Sequence, residues 1–169
     1  GRPRGTEPGP RITALFALAS VYEKVLSRPA DAERALRKAL GIDGENPRAI
    51  RALIHRLVAK QNEPDDEGAT SHAAPLRLEI ASLLERLAVV EKDRHVKSDI
   101  LLELAEIRAG LEDMNQAEKA LVDAVAVAPD HNRAFARLGR FCRTPQGTAG
   151  LDAGSYARAL AAVIGQGQQ

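Results

Sequence analysis

The stretch SDILLELAEIRAGLEDMNQAEKALVDAVAVAPDHNRAFARLGRFC, Ser98 to Cys142, decides the fold. Leu101, Leu104 and Ala105 open an apolar face at helical spacing, Ala117, Leu121 and Ala124 repeat the rhythm on a second segment, and Pro129 closes the unit. Thirty-four residues on, the first face returns as Phe135, Leu138 and Gly139. A fixed period of that length marks an array of helix–turn–helix units. The small residues have a packing reason. Two antiparallel helices approach closely only where side chains are short, as at Ala105, Ala117, Ala124 and Gly139, while Leu ridges fill the grooves beside them. Asp113, with Gln116 three residues on, reads as a cap pair opening the second helix.

The order of a large residue, then Leu with a small residue, then Ala, Leu, Ala and Pro resembles the tetratricopeptide repeat (TPR) family, at that family's spacings and without a gap over Ser98–Cys142. The resemblance implies an all-α fold, an α-solenoid of antiparallel helix pairs in a right-handed superhelix of about eight helices. It also implies a protein-interaction module or scaffold that binds a peptide or partner helix in a concave groove.

Composition agrees with close-packed helices. Of the 169 residues, 44% are hydrophobic but only 3% aromatic, so the core must rest on Ala and Leu. A formal charge of +1 argues against a generally basic nucleic-acid binder. One cysteine, Cys142, rules out an internal disulfide and a cysteine-rich zinc module, and the register makes it an inert core thiol. No apolar run approaches the length of a membrane span and no signal peptide is visible, so a soluble, cytoplasmic setting is expected. The chain starts with Gly, as expected of a segment cut from a longer protein.

Working outward, residues 1–11, rich in Pro and Gly, read as a flexible leader, whose Arg2 and Arg4 could alternatively touch an anionic partner. A single array is expected over 12–165, in units 12–46, 47–97, 98–131 and 132–165, with 166–169 as a tail. In the first unit Leu15, Leu18, Ala19 and Tyr22 share a face on a helix from Ile12 to Leu26. Leu18, Ala19 and Tyr22 precede Leu104, Ala105 and Arg108 by 86 residues, whereas Ala32, Leu36 and Ala39 precede Ala117, Leu121 and Ala124 by 85. The first turn therefore holds one extra residue. Asn46 and Pro47 read as the cap and first residue of a third helix. Ile50, Leu53 and Ile54 stand 51 residues before their counterparts, so the second unit carries an insertion, placed at the polar, acidic stretch 61–75. A helix from Leu76 to Lys92 follows, with Leu83, Leu87 and Val90 one period before Ala117, Leu121 and Ala124. The fourth unit is expected to contain a helix from Asn132 to about Arg143, a loop at Thr144–Gly150 and a last helix from Ser155 to Ile164. No polar closing helix follows it, which leaves an uncapped end for a homodimer or for more chain.

No catalytic constellation, cofactor motif or metal-ligand spacing stands out. His55, His72, His95 and His131 are dispersed, Asp65-Asp66-Glu67 reads as a solvated loop, and Gly147–Gly154 lacks the Lys of a phosphate loop. The expectation is a non-enzyme without cofactor or metal. Binding is left to the stripe that the resemblance places on the groove side of each unit's first helix. That stripe holds Thr13, Phe16, Ser20 and Glu23, then Arg48, Arg51, His55 and Val58. It continues with Asp99, Leu102, Glu106 and Ala109, then Arg133, Ala136, Arg140 and Arg143. Partner-binding residues are accordingly expected at Phe16, Arg48, Arg51, His55, Leu102, Glu106, Arg133, Arg140 and Arg143, toward an acidic protein or peptide. The family's Lys–Asn–Arg clamp for a C-terminal carboxylate is not implied, since the stripe has no Asn. The alternative is a polyanion or nucleic-acid surface built on the same arginines, weakened by Glu23, Asp99 and Glu106 among them.

Overall fold

The computed structural model describes residues 9–63, 70–141 and 161. The leader ahead of Gly9, Asp65-Asp66-Glu67, Cys142, Arg143, the Thr144–Gly150 loop and, Ala161 apart, the Ser155–Ile164 helix lie outside the described residues. Among those described there are seven helices and no strand. They fall into two compact units, residues 1–65 and 66–169.

The first unit holds α1 (Pro10–Lys24), α2 (Pro29–Ile42) and α3 (Pro47–Gln61). All three begin on a proline, which loses nothing at a position whose N–H has no intrahelical partner. The α1–α2 turn closes through the Arg28 N–H donating to the Tyr22 carbonyl at 2.7 Å, with Ser27 left-handed at φ 50°. Asp31, buried in the first turn of α2, pairs with Arg28 at 2.6 Å and with Arg34. The Asn46 side chain accepts from the Ala49 N–H at 3.1 Å, so the expected cap of α3 is present. Glu33 joins α2 to α3. It pairs with Arg37 at 2.8 Å and accepts from Lys60 Nζ at 3.2 Å. Burial pushes its carboxyl up, but the hydrogen bonds from Arg37 and Lys60 outweigh that and hold it below the ordinary range. Ala32, Ala39, Ala49, Ile50 and Leu57 are wholly buried where these helices pack.

The second unit holds α4 (Thr70–Val90), α5 (Arg94–Gly110), α6 (Met114–Val127) and α7 (Asn132–Phe141), each packed on the next. Asp93 caps α5, accepting from the His95 N–H at 2.9 Å and the Val96 N–H at 3.1 Å. Hydrogen bonds from those amides, Val96 first, lower its pKa. Asp113 caps α6 by accepting from the Gln116 N–H at 3.4 Å, the pairing the sequence suggests. The α5–α6 turn closes through the Asp113 N–H and the Arg108 carbonyl at 3.0 Å, with Glu112 left-handed at φ 61°. That bond spans five residues, where its counterpart from Arg28 to Tyr22 spans six. The extra turn residue inferred from the 85- and 86-residue offsets is therefore in place. Leu101, Leu104 and Ala105 are buried, as are Ala117, Leu121 and Ala124. The wholly buried Ser98 hydroxyl donates to the Ala124 carbonyl at 2.9 Å, which ties α5 to α6 without leaving a polar atom orphaned.

Three expectations are corrected. The insertion at 61–75 is helical at both ends, since α3 runs through Gln61 and α4 opens at Thr70. Pro75 sits inside α4 as its sixth residue, where its missing N–H removes one intrahelical bond. The unit expected from 98 has its first helix start at Arg94, because Asp93 supplies a cap that the apolar periodicity does not reveal. On α1, Ile12, Phe16 and Ala19 are buried, whereas Leu18 is 42% exposed although its counterpart Leu104 is 6% exposed. The difference has a structural cause. Leu104 lies on a helix that α4 packs against, and α1 has no such preceding helix among the described residues.

Bulk at the α5–α6 contact should be poorly tolerated. Ala124→Leu is expected to lower unfolding free energy by about 1–3 kcal/mol, against under about 0.5 kcal/mol for the exposed Glu103→Gln, measured by urea denaturation. The Asp93 cap predicts an acid dependence of definite sign. With the folded pKa below the unfolded one, the ionised cap stabilises fully above the ordinary Asp range, and that contribution is lost as pH falls through the lowered folded value. Asp93→Ser keeps a neutral acceptor, so the acid limb of its stability–pH profile should be shallower than the parent's.

Candidate functional site

The stripe residues fall in both units and are described unit by unit. In the first unit, Phe16 is buried on α1 and its ring is covered by the Arg48 guanidinium, 4.6 Å from the ring centroid. This cation–π contact joins α1 to α3. Phe16 thus serves the core of the unit and orients Arg48. Arg51 and His55, on the same side of α3 at helical spacing, are exposed.

In the second unit the stripe comes together as a cavity. Leu102, Ala105, Glu106 and Ala109 of α5, Leu121 of α6, and Arg137 and Arg140 of α7 line about 200 Å³ of space. Leu102 and Leu121 are buried and make its apolar base, while Glu106 and Arg140 are exposed at its mouth. Glu106 pairs with Arg137, one turn before Arg140. Arg140 makes no ion pair with a described residue. Arg133 pairs with Asp99 at 3.5 Å, and His131 reaches the same carboxylate at 3.2 Å. Arg143 lies outside the described residues. The volume is below the roughly 300–1,000 Å³ of small-molecule sites, a size suited to one anchoring side chain.

The helix register explains the grouping. Three of the four α5 lining residues, Leu102, Glu106 and Ala109, follow the i, i+4, i+7 spacing of one helix face. Arg137 was not expected at the site. Its one-turn spacing from Arg133 and Arg140 on α7, beside the expected stripe acid Glu106, is the available signal.

Sequence reading also missed a histidine pair. His95 and His131 stand 5.7 Å apart between ring centroids, His95 is 3.5 Å from Asp130, and Arg94 binds Asp130 at 2.9 Å. The two histidines are 36 residues apart, close to one repeat, so they sit at neighbouring helix starts. Among the described residues, no group of three or more His, Cys, Asp or Glu side chains is arranged to hold a metal. No described helix is long and apolar enough to cross a membrane.

No protein-family model matches the chain, and no curated protein does. Among solved structures the chain is similar to the crystal structure of MamA, a TPR-containing protein, with a TM-score of 0.51 and 16% sequence identity over 94% of this chain and 81% of that one. At that identity the likeness is one of fold, and with the all-helical structure it assigns this chain to the α-solenoids, built of stacked helix pairs.

Proposed function

We propose that the protein is an interaction module, without enzymatic activity, that holds an acidic segment bearing an apolar anchor on the stripe of first-helix residues. The observation that supports this reading is the small apolar cavity between Leu102 and Leu121 with Arg140, which makes no ion pair among the described residues, at its mouth. The anchor fills the cavity, and Arg140 binds the adjacent carboxylate through a charge-assisted, bidentate hydrogen bond. Glu106, held by Arg137, disfavours a second carboxylate at the opposite rim and so sets the direction of the segment. Within the first unit, Arg48, Arg51 and His55 are exposed on α3 and form a basic surface of their own. The polyanion reading is less favoured, because Arg133 and Arg137 are already engaged by Asp99 and Glu106.

Selection of random short peptides displayed against the protein tests this. Enriched sequences should place Asp or Glu beside a Leu, Ile or Met. Arg140→Glu should weaken their binding at least about tenfold, equivalent to one charge-assisted hydrogen bond, with the melting curve unchanged. Ala109→Gln, which fills the cavity mouth, should do the same. Enrichment of peptides indifferent to both variants would remove the site from the stripe. A steep fall of affinity with salt, with no need for an apolar residue, would favour the polyanion reading instead.

A further inference from the structure

The α1–α2 and α5–α6 hairpins are equivalent in register, yet one face is treated differently in each. Lys97, Leu101 and Leu104 on α5 correspond to Arg11, Leu15 and Leu18 on α1. Asp123, Ala126 and Val127 on α6 correspond to Lys38, Gly41 and Ile42 on α2. In the second unit those α5 and α6 positions line a cleft of about 450 Å³ whose other wall is α4, through Glu85, Ala88 and Val89. In the first unit the same six positions, with Ala14, line an open groove of about 650 Å³ formed by α1 and α2 alone. Two of its apolar residues are uncovered, with Leu18 42% and Ile42 53% exposed.

The helix α1 is accordingly apolar on two sides. Ile12, Phe16 and Ala19 face the core, and Ala14, Leu18 and Val21 form a second stripe at i, i+4 and i+7, which the C-cap residue Val25 continues. A helix that is hydrophobic on both sides is the kind that other elements cover. A hairpin that closes an array carries a polar outer face, and this one does not.

We propose that the outer face of the α1–α2 hairpin docks an amphipathic helix of a partner protein, seated as α4 is seated on α5 beside α6, with carboxylates opposite Arg11 and Lys38. The helical form of the occupant follows from the equivalent face, which a helix covers. Its charge follows from the rim. The α5–α6 face mixes Lys97 with Asp123, whereas the counterparts Arg11 and Lys38 are both basic and no acid lines the groove. Neither Arg11 nor Lys38 makes an ion pair with a described residue. A second copy would bring two such basic rims around one apolar seam with no carboxylate between them, which disfavours self-pairing. The segment Ser155–Ile164 of this chain carries Arg158 and no acid, so its charge does not match either. This surface belongs to the first unit and the Leu102 cavity to the second, and they share no residue, so its test is independent of that site.

The probes are two synthetic peptides with the α4 sequence, Thr70–Val90, one made more acidic by Ser82→Glu and one made basic by Ser82→Lys with Glu85→Lys. Fluorescence anisotropy should show the acidic peptide binding at least about tenfold more tightly than the basic one. Leu18→Glu should abolish that binding, while Arg140→Glu should leave it unchanged. Because Arg11 and Lys38 are exposed, the double variant Arg11→Glu with Lys38→Glu should stay folded and reverse the preference between the peptides. Absence of saturable binding by either peptide, equal affinity for both, or failure of the double variant to reverse the order would overturn the proposal. So would sedimentation showing a dimer that Leu18→Glu dissolves, which would make a second copy the occupant.

Discussion

Each unit depends on helices approaching so closely that only a small side chain fits between them. Ala32 and Ala39 in one hairpin, and Ala117 and Ala124 in the other, are fully buried at these contacts. Ser98 shows how narrow the gap is, since its short hydroxyl reaches directly to the Ala124 carbonyl on the next helix. Alanine packing gives little area per residue, and the burial of a Leu or Ile beside each contact supplies the rest, of order 1.5–3 kcal/mol per side chain. A single hairpin buries too little this way to stand alone, so the chain repeats the motif and stacks it.

Close packing also decides what is left for function. On α5, the face of Leu101 and Leu104 is taken up against α4 and α6, and Ala105 packs into the hairpin, so Leu102, Glu106 and Ala109 are turned toward α7. The cavity there is a consequence of small residues on one side and long arginines on the other. Arg137 and Arg133 are drawn into pairs with Glu106 and Asp99, exposed contacts worth at most about 1 kcal/mol each, which position α7 without fixing it rigidly. Among the described residues of α7, this pairing does not take up Arg140. The same logic leaves the outer side of α1 apolar, because the repeat pattern provides for a neighbour on both sides of every first helix.

Much of the fold is legible in the sequence because the pattern that encodes it is local. The 34-residue echo, the Asn46 and Asp113 caps and the one-residue difference between the two turns all have direct structural counterparts. What was misread depends on partners that periodicity does not carry. The early start of α5 comes from Asp93, a polar residue outside the apolar rhythm, and the early start of α4 runs through a proline that a turn reading treats as a stop. Leu18 fits the buried motif, but burial needs a covering helix that the described residues do not supply. At the candidate site, the basic character of the stripe was readable, whereas the pairing of Arg137 with Glu106 and the proximity of His95 to His131 required the helices to be placed.

Both surfaces depend on the equivalence of the α1–α2 and α5–α6 hairpins, which a methyl-labelled nuclear Overhauser spectrum reads out. By register, Ile12 and Ala39 occupy the positions of Ser98 and Ala124, which are joined by a 2.9 Å hydrogen bond. The account predicts a strong cross-peak between the Ile12 and Ala39 methyl groups, and a weak or absent one from Leu18 to Ala39. A dominant Leu18–Ala39 contact with none from Ile12 would mean that α1 is rotated out of register, and would contradict both the repeat assignment and the surfaces derived from it.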